Sequence, residues 1–315
     1  MNPLNTPPSA QSHWQSPPLW GVTLLGGLAA VAQDRSERRV TRFRSQKYGA
    51  LLAYLAYHRH TPHSRETLIA LLWPEMEERA GRNNLSVALS SLRNQLEPPG
   101  TPQGVVLLAD RFSIGLNPAA VATDVAEFEA ALAEAAKARG SATERLQHLA
   151  RAVELYRGPL LPGFYEAWIA PEQERLLGCF FDASGQLIGL REGQGDTAGA
   201  LAQARRACAA DPLREEGHVH LIRMLAAAGQ SGAVLRQYRE FERALDEELG
   251  DEPSPALRAL ARRVGKESGS ALRHRSGRLG HSTSDRSRRL GPTRGFHSRE
   301  RTGLTMVTGC LTRVP

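Results

Sequence analysis

Cysteine is scarce in this sequence, with three residues in 315: Cys179, Cys208 and Cys310. Their odd number, their wide separation and the lack of any CxxC pair exclude a disulfide framework and the usual spacing of a structural zinc site. Such cysteines are typical of reduced thiols in a cytoplasm. We therefore expect a cytoplasmic protein.

Long apolar runs are also missing from the chain. No stretch approaches the roughly 20 residues that a transmembrane helix needs. Residues 1–18 lack the apolar segment of a secretory signal peptide and are rich in Pro, Ser, Gln and Asn, a composition that predicts a disordered leader. The sequence therefore indicates no association with a membrane.

The motifs of common catalytic and cofactor-binding sites are absent as well. The sequence contains no HExxH, no nucleophile elbow, no dinucleotide fingerprint and no paired-aspartate pocket. Around Gly265-Lys266 a phosphate loop fails, because Leu260 stands where its first Gly belongs and Glu267 where its Ser or Thr belongs. We therefore expect neither an enzyme nor a bound cofactor.

Two groups of histidines lie close together in the sequence: His58, His60 and His63 between two predicted helices, and His218 and His220 on one predicted helix. Imidazole is a common metal ligand. The first group occupies a polar loop, however, and positions i and i+2 of a helix point to different sides. We therefore expect solvated or packed histidines and no metal site.

The formal net charge of +7 is distributed unevenly. Residues 266–315 contain eleven Lys and Arg and three Asp and Glu, a charge of +8, so residues 1–265 sum to about −1. Residues 265–315 are rich in Ser, Arg, Gly and His without periodicity, which predicts a disordered basic tail; a shifted reading frame is the alternative origin of this composition. An argument for nucleic-acid binding must therefore rest on local charge.

Residues Glu77–Glu97 have the most informative pattern of the chain. Apolar residues recur at helical spacing and predict a core-facing stripe: Leu85, Ala88, Leu89, Leu92 and Leu96. The opposite side is small, polar and free of acidic residues: Arg79, Asn83, Val87, Ser90 and Asn94, with Arg82 and Arg93 on its flanks. Small side chains let a helix approach a DNA major groove, where Asn and Ser reach base edges and Arg binds guanine or phosphate. By periodicity alone, an ordinary amphipathic surface helix is the alternative.

The neighbouring segments favour DNA binding. Two segments predict short antiparallel strands: Leu19–Val31 and Val40–Phe43. Gln46–His58 predicts a helix, and Ser64 is a suitable N-cap for a second helix that Pro74 ends. Val105–Leu116 predicts a hairpin that turns at Asp110-Arg111. A small sheet, three helices and a hairpin, or wing, predict a winged helix-turn-helix domain with Arg111 near the wing tip, where it can enter a minor groove or contact a phosphate.

From Thr123 onward the composition becomes Ala-rich and helical. Three segments predict amphipathic helices: Asp124–Ala138, Ser141–Tyr156 and about Pro171–Glu192. Gly195 and Gly229 begin similar segments 34 positions apart, which is the period of tetratricopeptide repeats and predicts stacked helix pairs. Four aromatic residues are expected to form a core cluster: Tyr156, Phe164, Tyr165 and Trp168.

Several motifs carry a resemblance to a known family. RSQKYGALLAYLAYH, SRETLIALLWP and RNNLSVALSSLRNQLE resemble the OmpR-type DNA-binding domain of SARP and AfsR-like bacterial transcriptional activators. YRGPLLPGFYEAW, DPLREEGH and LGDEPSPALRAL resemble the bacterial transcriptional activation domain that follows it in that family. The resemblance implies a four-stranded N-terminal sheet, groove reading by the third helix, binding to tandem repeats near promoters, dimer contacts and contacts with RNA polymerase.

The sequence thus predicts a mainly α protein with four parts: a leader over 1–18, an OmpR-type winged helix with a small antiparallel sheet over 19–117, an all-α tetratricopeptide-like activation domain over 124–264 and a basic tail over 265–315. The predicted function is sequence-specific regulation, as an activator that binds double-stranded DNA as a homodimer and recruits RNA polymerase. The base-facing residues would be Arg79, Asn83, Val87, Ser90 and Asn94, and the residues on phosphates or in the minor groove would be Arg82, Arg93 and Arg111. The alternative is a repeat scaffold whose winged helix does not read DNA specifically.

Overall fold

A computed structural model describes residues 18–34, 38–138 and 140–264 of the chain. The predictions of disorder for residues 1–17 and 265–315 lie outside the described residues. The chain opens with strands β1 (Trp20–Thr23) and β2 (Ala29–Ala32), which pair antiparallel, and β3 (Arg39–Val40) pairs antiparallel with β2. Alternate residues of β1 are buried, as expected for a strand with one face on a core.

Three helices follow the first sheet. They are α1 (Gln46–Tyr57), α2 (Arg65–Leu72) and α3 (Glu78–Leu96). The predicted N-cap is confirmed, because the Ser64 hydroxyl accepts a hydrogen bond from Thr67 N at 3.0 Å and so satisfies a free N–H of the first turn of α2. The apolar faces of α1, α2 and α3 bury Leu51, Leu68 and Leu85 completely. Each helix therefore exists where the apolar period predicted it.

The predicted wing forms with an additional strand. Strands β5 (Leu107–Ala109) and β6 (Ser113–Leu116) make the hairpin, and β4 (His63–Ser64) pairs antiparallel with β6. The group His58, His60 and His63 was expected to occupy a polar loop, and β4 corrects that expectation at His63. The wing is therefore part of a three-stranded sheet in the order β4-β6-β5.

The fourth strand of the N-terminal sheet lies between the two predicted domains. Strand β7 (Val121–Thr123) pairs with β1 in parallel, and the sheet order is β3-β2-β1-β7. The sheet is thus four-stranded, and it is antiparallel except for the β1–β7 pair. A parallel pair requires a long crossover, which here is the whole winged helix.

Helices make up the rest of the described chain: α4 (Asp124–Lys137), α5 (Ala142–Leu155), α6 (Ile169–Gly193), α7 (Thr197–Ala210), α8 (Glu215–Ala227), α9 (Ser231–Leu249) and α10 (residues 255–264). Consecutive helices from α4 to α9 pack on one another. Gly195 and Gly229 adopt φ of +77° and +69° at equivalent turns, as stacked repeats require. Among the described residues, no helix combines the length and the apolarity needed to cross a membrane.

These elements confirm the predicted fold class, a winged helix-turn-helix with small sheets followed by an all-α repeat domain. The two parts share backbone hydrogen bonds: Gly26 N donates to Pro159 O at 2.9 Å, and Leu161 N donates to Leu24 O at 2.8 Å. A Cβ on Gly26 would lie 3.3 Å from the backbone of Arg157, so this glycine permits the close approach. One hydrophobic core runs through the winged helix and helices α4–α6.

The predicted aromatic cluster is only partly correct. Tyr156 is buried and stacks on Phe180 with ring centroids 4.5 Å apart, and Phe164 and Trp168 are half-buried against the core. Tyr165 is 88% exposed and does not belong to the cluster. It follows Gly163 and Phe164 in a loop, where no helical or strand period fixes the direction of successive side chains.

Candidate nucleic-acid interface

Helix α3 separates its side chains into two faces as its sequence predicted. The buried face consists of Gly81, Leu85, Ala88, Leu89, Leu92 and Leu96. All five residues predicted to face bases are exposed: Arg79, Asn83, Val87, Ser90 and Asn94. Ser86, which we did not predict, is also exposed and lies on the arginine-flanked side of this group. We call these six residues the open face of α3.

Gly81 sets how closely α3 crosses α2. A Cβ at this position would lie 2.5 Å from Cγ2 of Ile69, a distance far inside van der Waals contact. Ile69 is itself buried, with 8% of its surface exposed. A larger residue at position 81 would therefore push the two helices apart. The glycine therefore permits the close contact between α3 and α2.

The serines of the open face use their hydroxyl protons within the helix. Ser90 Oγ donates to Ser86 O at 3.0 Å, and Ser86 Oγ donates to Arg82 O at 2.9 Å. Each hydroxyl oxygen keeps its lone pairs directed outward. In this conformation Ser90 can accept a hydrogen bond from a base amino group but cannot donate one.

The two flanking arginines of α3 have different surroundings. Arg82 is paired with Glu78 one turn earlier, and both side chains are mostly exposed, so this pair stabilises the helix only weakly and is readily exchanged for a phosphate. Arg93 is half-buried, and its Nε is buried without a hydrogen-bond partner among the described residues. Arg93 lines a groove of about 660 Å³ with Arg59 and the wing residues Gly104 and Leu107. Its guanidinium thus lies beside the wing, at the edge of the open face.

The wing root is tied to the end of α3 by Glu97. One carboxylate oxygen of Glu97 accepts hydrogen bonds from Val106 N and Leu107 N at 2.8 Å each, and both oxygens accept from Gly104 N at 3.1 and 3.2 Å. Trp20 of β1 donates its indole N–H to Leu96 O at 3.0 Å. We predicted none of these contacts, because a glutamate after a helix is more often simply solvated.

The wing tip is held by Arg65 and Asp110. Arg65 donates to Asp110 O from Nε at 3.0 Å and from Nη2 at 2.8 Å, and its backbone N donates to Phe112 O at 3.1 Å. The Asp110 carboxylate accepts from Phe112 N and Ser113 N at 2.7 Å each, and these bonds lower the pKa of that carboxyl. Arg111 is exposed at the tip, as predicted, and its guanidinium lies over the Phe112 ring at 4.5 Å from the centroid.

Three of the histidines pack on aromatic rings and His60 is exposed, which agrees with the expectation of solvated or packed histidines. His58 and His63 lie within 4.7 and 4.8 Å of the Tyr54 ring, and burial lowers the pKa of both imidazoles. His218 stacks on Phe241 at 4.1 Å, and its Nε2 lies 2.9 Å from Pro212 O. In the part of the chain that the structure describes, no group of three or more His, Cys, Asp or Glu side chains is arranged to hold a metal ion.

The helical domain contacts the winged helix beside these histidines. Tyr57 of α1 donates its hydroxyl to Glu172 of α6 and accepts from Arg175 Nη2 at 3.0 Å, while Arg175 also donates to Glu129 of α4 at 2.6 Å. Desolvation and the bond to Glu172 raise the pKa of Tyr57 to about 12. The Trp168 ring lies 5.1 Å from Tyr57 and 5.9 Å from His58. The helical domain therefore covers this part of the winged-helix surface.

Two family models match this chain. Residues 43–109 match the family "Transcriptional regulatory protein, C terminal", and residues 123–264 match "Bacterial transcriptional activator domain". The first match includes α3 and the hairpin's first strand, and the second begins at the last residue of β7. Both parts of the described chain are thus similar to domains of transcriptional regulators.

Curated relatives are similar to about two thirds or more of this chain. The chain is 29% identical over 224 residues to the transcriptional regulatory protein EmbR of Mycobacterium tuberculosis (strain H37Rv), covering 68% of this chain and 56% of EmbR. It is 28% identical over 242 residues to the regulatory protein AfsR of Streptomyces coelicolor, covering 76% of this chain and 24% of AfsR. The chain therefore spans about half the length of EmbR and a quarter of AfsR.

A solved structure has the same fold. It is M. tuberculosis EmbR in complex with a low-affinity phosphopeptide, with a TM-score of 0.60 and 24% sequence identity, and the match covers 83% of this chain and 70% of that chain. At this identity the similarity shows the fold alone. The arrangement of winged helix and helical domain thus occurs in a protein whose structure is known.

Proposed function

We propose that this chain, which is similar to the SARP-like family of bacterial transcriptional regulators, binds specific DNA sequences through the open face of α3. The observation that carries the proposal is the composition of that face. Over a 19-residue helix, six exposed positions in register have no acidic side chain. Solvated helix surfaces usually mix both charges, whereas a groove-reading helix must avoid repelling the phosphates.

Each residue of the open face has a role set by its chemistry. Arg79 is exposed without an ion pair among the described residues and is free to donate two hydrogen bonds to a guanine edge. The Asn83 and Asn94 amides can both donate to and accept from an adenine edge. Ser90 accepts from the amino group of adenine or cytosine, because its proton is used within the helix. Val87 is 38% exposed and suits a thymine methyl group.

The arginines at the edge of the open face would bind the phosphate backbone of the DNA. Arg82 exchanges Glu78 for a phosphate, Arg93 approaches a phosphate beside the wing, and Arg111 contacts a phosphate or the minor groove at the wing tip. Residues 1–265 sum to about −1, so attraction depends on this local group rather than on the overall charge. Such contacts fix the register of the protein without reading sequence.

The helical domain is proposed to pair two copies of the chain on adjacent DNA repeats and to contact RNA polymerase. The family description, bacterial transcriptional activator domain, supports this role, as do the stacked helix pairs, whose outer faces are a common kind of protein-binding surface. These events take place in the cytoplasm, where the bacterial chromosome lies. The proposal includes no catalytic step.

The second candidate is a repeat scaffold whose winged helix binds no DNA specifically. Selection from a pool of random DNA duplexes distinguishes the regulator from the scaffold. The full chain is incubated with the pool at about 150 mM salt and excess non-specific competitor, because non-specific dissociation constants at that salt concentration are only about 10⁻⁴–10⁻⁶ M. Enrichment of one sequence, repeated in tandem, supports the regulator. A pool that stays random after several rounds contradicts it and selects the scaffold.

A further inference from the structure

The wing tip carries an exposed aromatic residue. Phe112 is 65% exposed, whereas the other phenylalanines of the described chain are buried or half-buried. Leaving a phenyl ring in water forgoes a large hydrophobic stabilisation, and scattered exposed apolar residues need no explanation by themselves. The surroundings of this ring show how it is presented.

Phe112 is held in position rather than left on a loose loop. Its N donates to the Asp110 carboxylate at 2.7 Å, and its carbonyl oxygen accepts from Arg65 N at 3.1 Å. The same Arg65 donates hydrogen bonds to Asp110 O from two guanidinium nitrogens. Residues 110–112 are therefore fixed from both sides, and ordering this tip costs little further entropy when a ligand binds.

One face of the ring is covered by a positive charge. The Arg111 guanidinium lies over it at 4.5 Å from the centroid, and Arg65 binds backbone oxygens of the same turn. The acidic group of the tip, Asp110, directs its carboxylate at the backbone of the turn. A rigid apolar edge flanked by arginine fits a ligand that is anionic along its rims and apolar within.

The minor groove of duplex DNA has this chemistry, because phosphates line its edges and deoxyribose C–H groups form its walls. The groove is about 6 Å wide, which admits the edge of one ring, and minor-groove proteins commonly insert Phe beside Arg. We infer that Phe112 enters the minor groove of the bound duplex and supplies an apolar contact there. This inference rests on the proposed function and adds to it a residue that contributes affinity without neutralising a phosphate.

The test compares full-length variants on the duplex that the random pool enriches. Phe112→Ala, Phe112→Leu and Arg111→Ala are measured together with Tyr165→Ala, a matched control that removes an aromatic side chain 88% exposed in the helical domain. Affinity is recorded from 50 to 300 mM salt, roughly the range over which phosphate contacts change it strongly. Hydroxyl-radical cleavage, which attacks sugars in the minor groove, locates the wing.

Phe112→Ala should weaken binding about 5- to 30-fold at every salt concentration, the value expected for losing burial of two thirds of a phenyl side chain, with no change in the salt slope. Arg111→Ala should reduce that slope by about one. Phe112→Leu should recover part of the affinity, Tyr165→Ala should bind as the wild type does, and the sugar protection should disappear in Phe112→Ala alone among the ring variants.

Equal affinity and unchanged protection for wild type and Phe112→Ala would overturn the inference while leaving the proposed function intact. A loss of affinity equal to that of Tyr165→Ala would overturn it as well, as would a sedimentation result in which Phe112→Ala abolishes self-association but not DNA binding. If the wild type enriches no duplex at all, the proposed function itself fails and the inference fails with it.

Discussion

Replacing Glu97 with alanine removes a carboxylate that joins the end of α3 to the first strand of the wing. Three backbone N–H groups lose their acceptor, those of Gly104, Val106 and Leu107. Hydrogen bonds to a charged group contribute about 1.5–3 kcal/mol each. Because Glu97 is half-buried, water replaces part of the loss, and bonds to one carboxylate are not additive. We expect the wing root to lose about 2–4 kcal/mol of local stability.

Amide hydrogen exchange measures this loss where it occurs. Each 1.4 kcal/mol of lost local stability raises the exchange rate about tenfold. The amides of Val106 and Leu107 should therefore exchange about 30- to 1,000-fold faster in Glu97→Ala than in the wild type. The salt slope of DNA binding should fall by about one, because Arg111 is no longer held over the duplex. Glu77→Ala, at the exposed opposite end of the same helix, is the control. Unchanged exchange at both amides would refute the role of Glu97.

Two further perturbations concern packing and pH. Gly81→Ala should destabilise the protein by about 1–3 kcal/mol in chemical denaturation, because overpacking against Ile69 exceeds the gain in helix propensity; Gly189→Ala in α6, where a Cβ meets nothing within 4 Å, should instead stabilise it, and equal effects would contradict the packing argument. Desolvation raises the pKa of Asp124 to about 6, against the bonds it accepts from Leu25 N and Leu24 N. The folded protein therefore binds this proton more tightly than the unfolded chain does. Protonation of Asp124 thus adds to the free energy of unfolding at low pH, and this stabilisation is lost as pH rises through about 6. Relative to Asp124→Asn, the free energy of unfolding should be about 1.4 kcal/mol higher at pH 5 than at pH 7.5, since pH 5 lies about one unit below the folded pKa; an unchanged difference would contradict the shift.

Local patterns predicted the helices and the wing because their signals are contained in short windows. The apolar period of residues 85–96 and the cap at Ser64 need no knowledge of the rest of the chain. The open face followed from the same period, since whatever is not turned to the core is turned to solvent. That argument fails in loops, where successive side chains follow no period, and Tyr165 was wrongly assigned to the core for this reason.

Long-range contacts could not be predicted in the same way. Strand β4 is two residues long and exists only because β6, some fifty residues later, offers it partners. Strand β7 pairs with β1 across about a hundred residues, and the roles of Glu97 and Arg65 depend on where the wing returns. In a short stretch of sequence, a glutamate or an arginine has many possible hydrogen-bond partners. Only the folded structure determines which partner it contacts. The same holds for Phe112, whose exposure no periodicity indicates.

Asn83 gives the most direct test of whether the open face of α3 reads bases. Its side chain is exposed on that face, and replacing it with alanine would remove the proposed hydrogen bonds to a base edge without removing charge. The bound sequences selected from a random duplex pool by wild type and by Asn83→Ala should differ at one or two adjacent positions, with about 1–3 kcal/mol of discrimination lost there and an unchanged salt slope. Identical base preferences for the two proteins would contradict the claim.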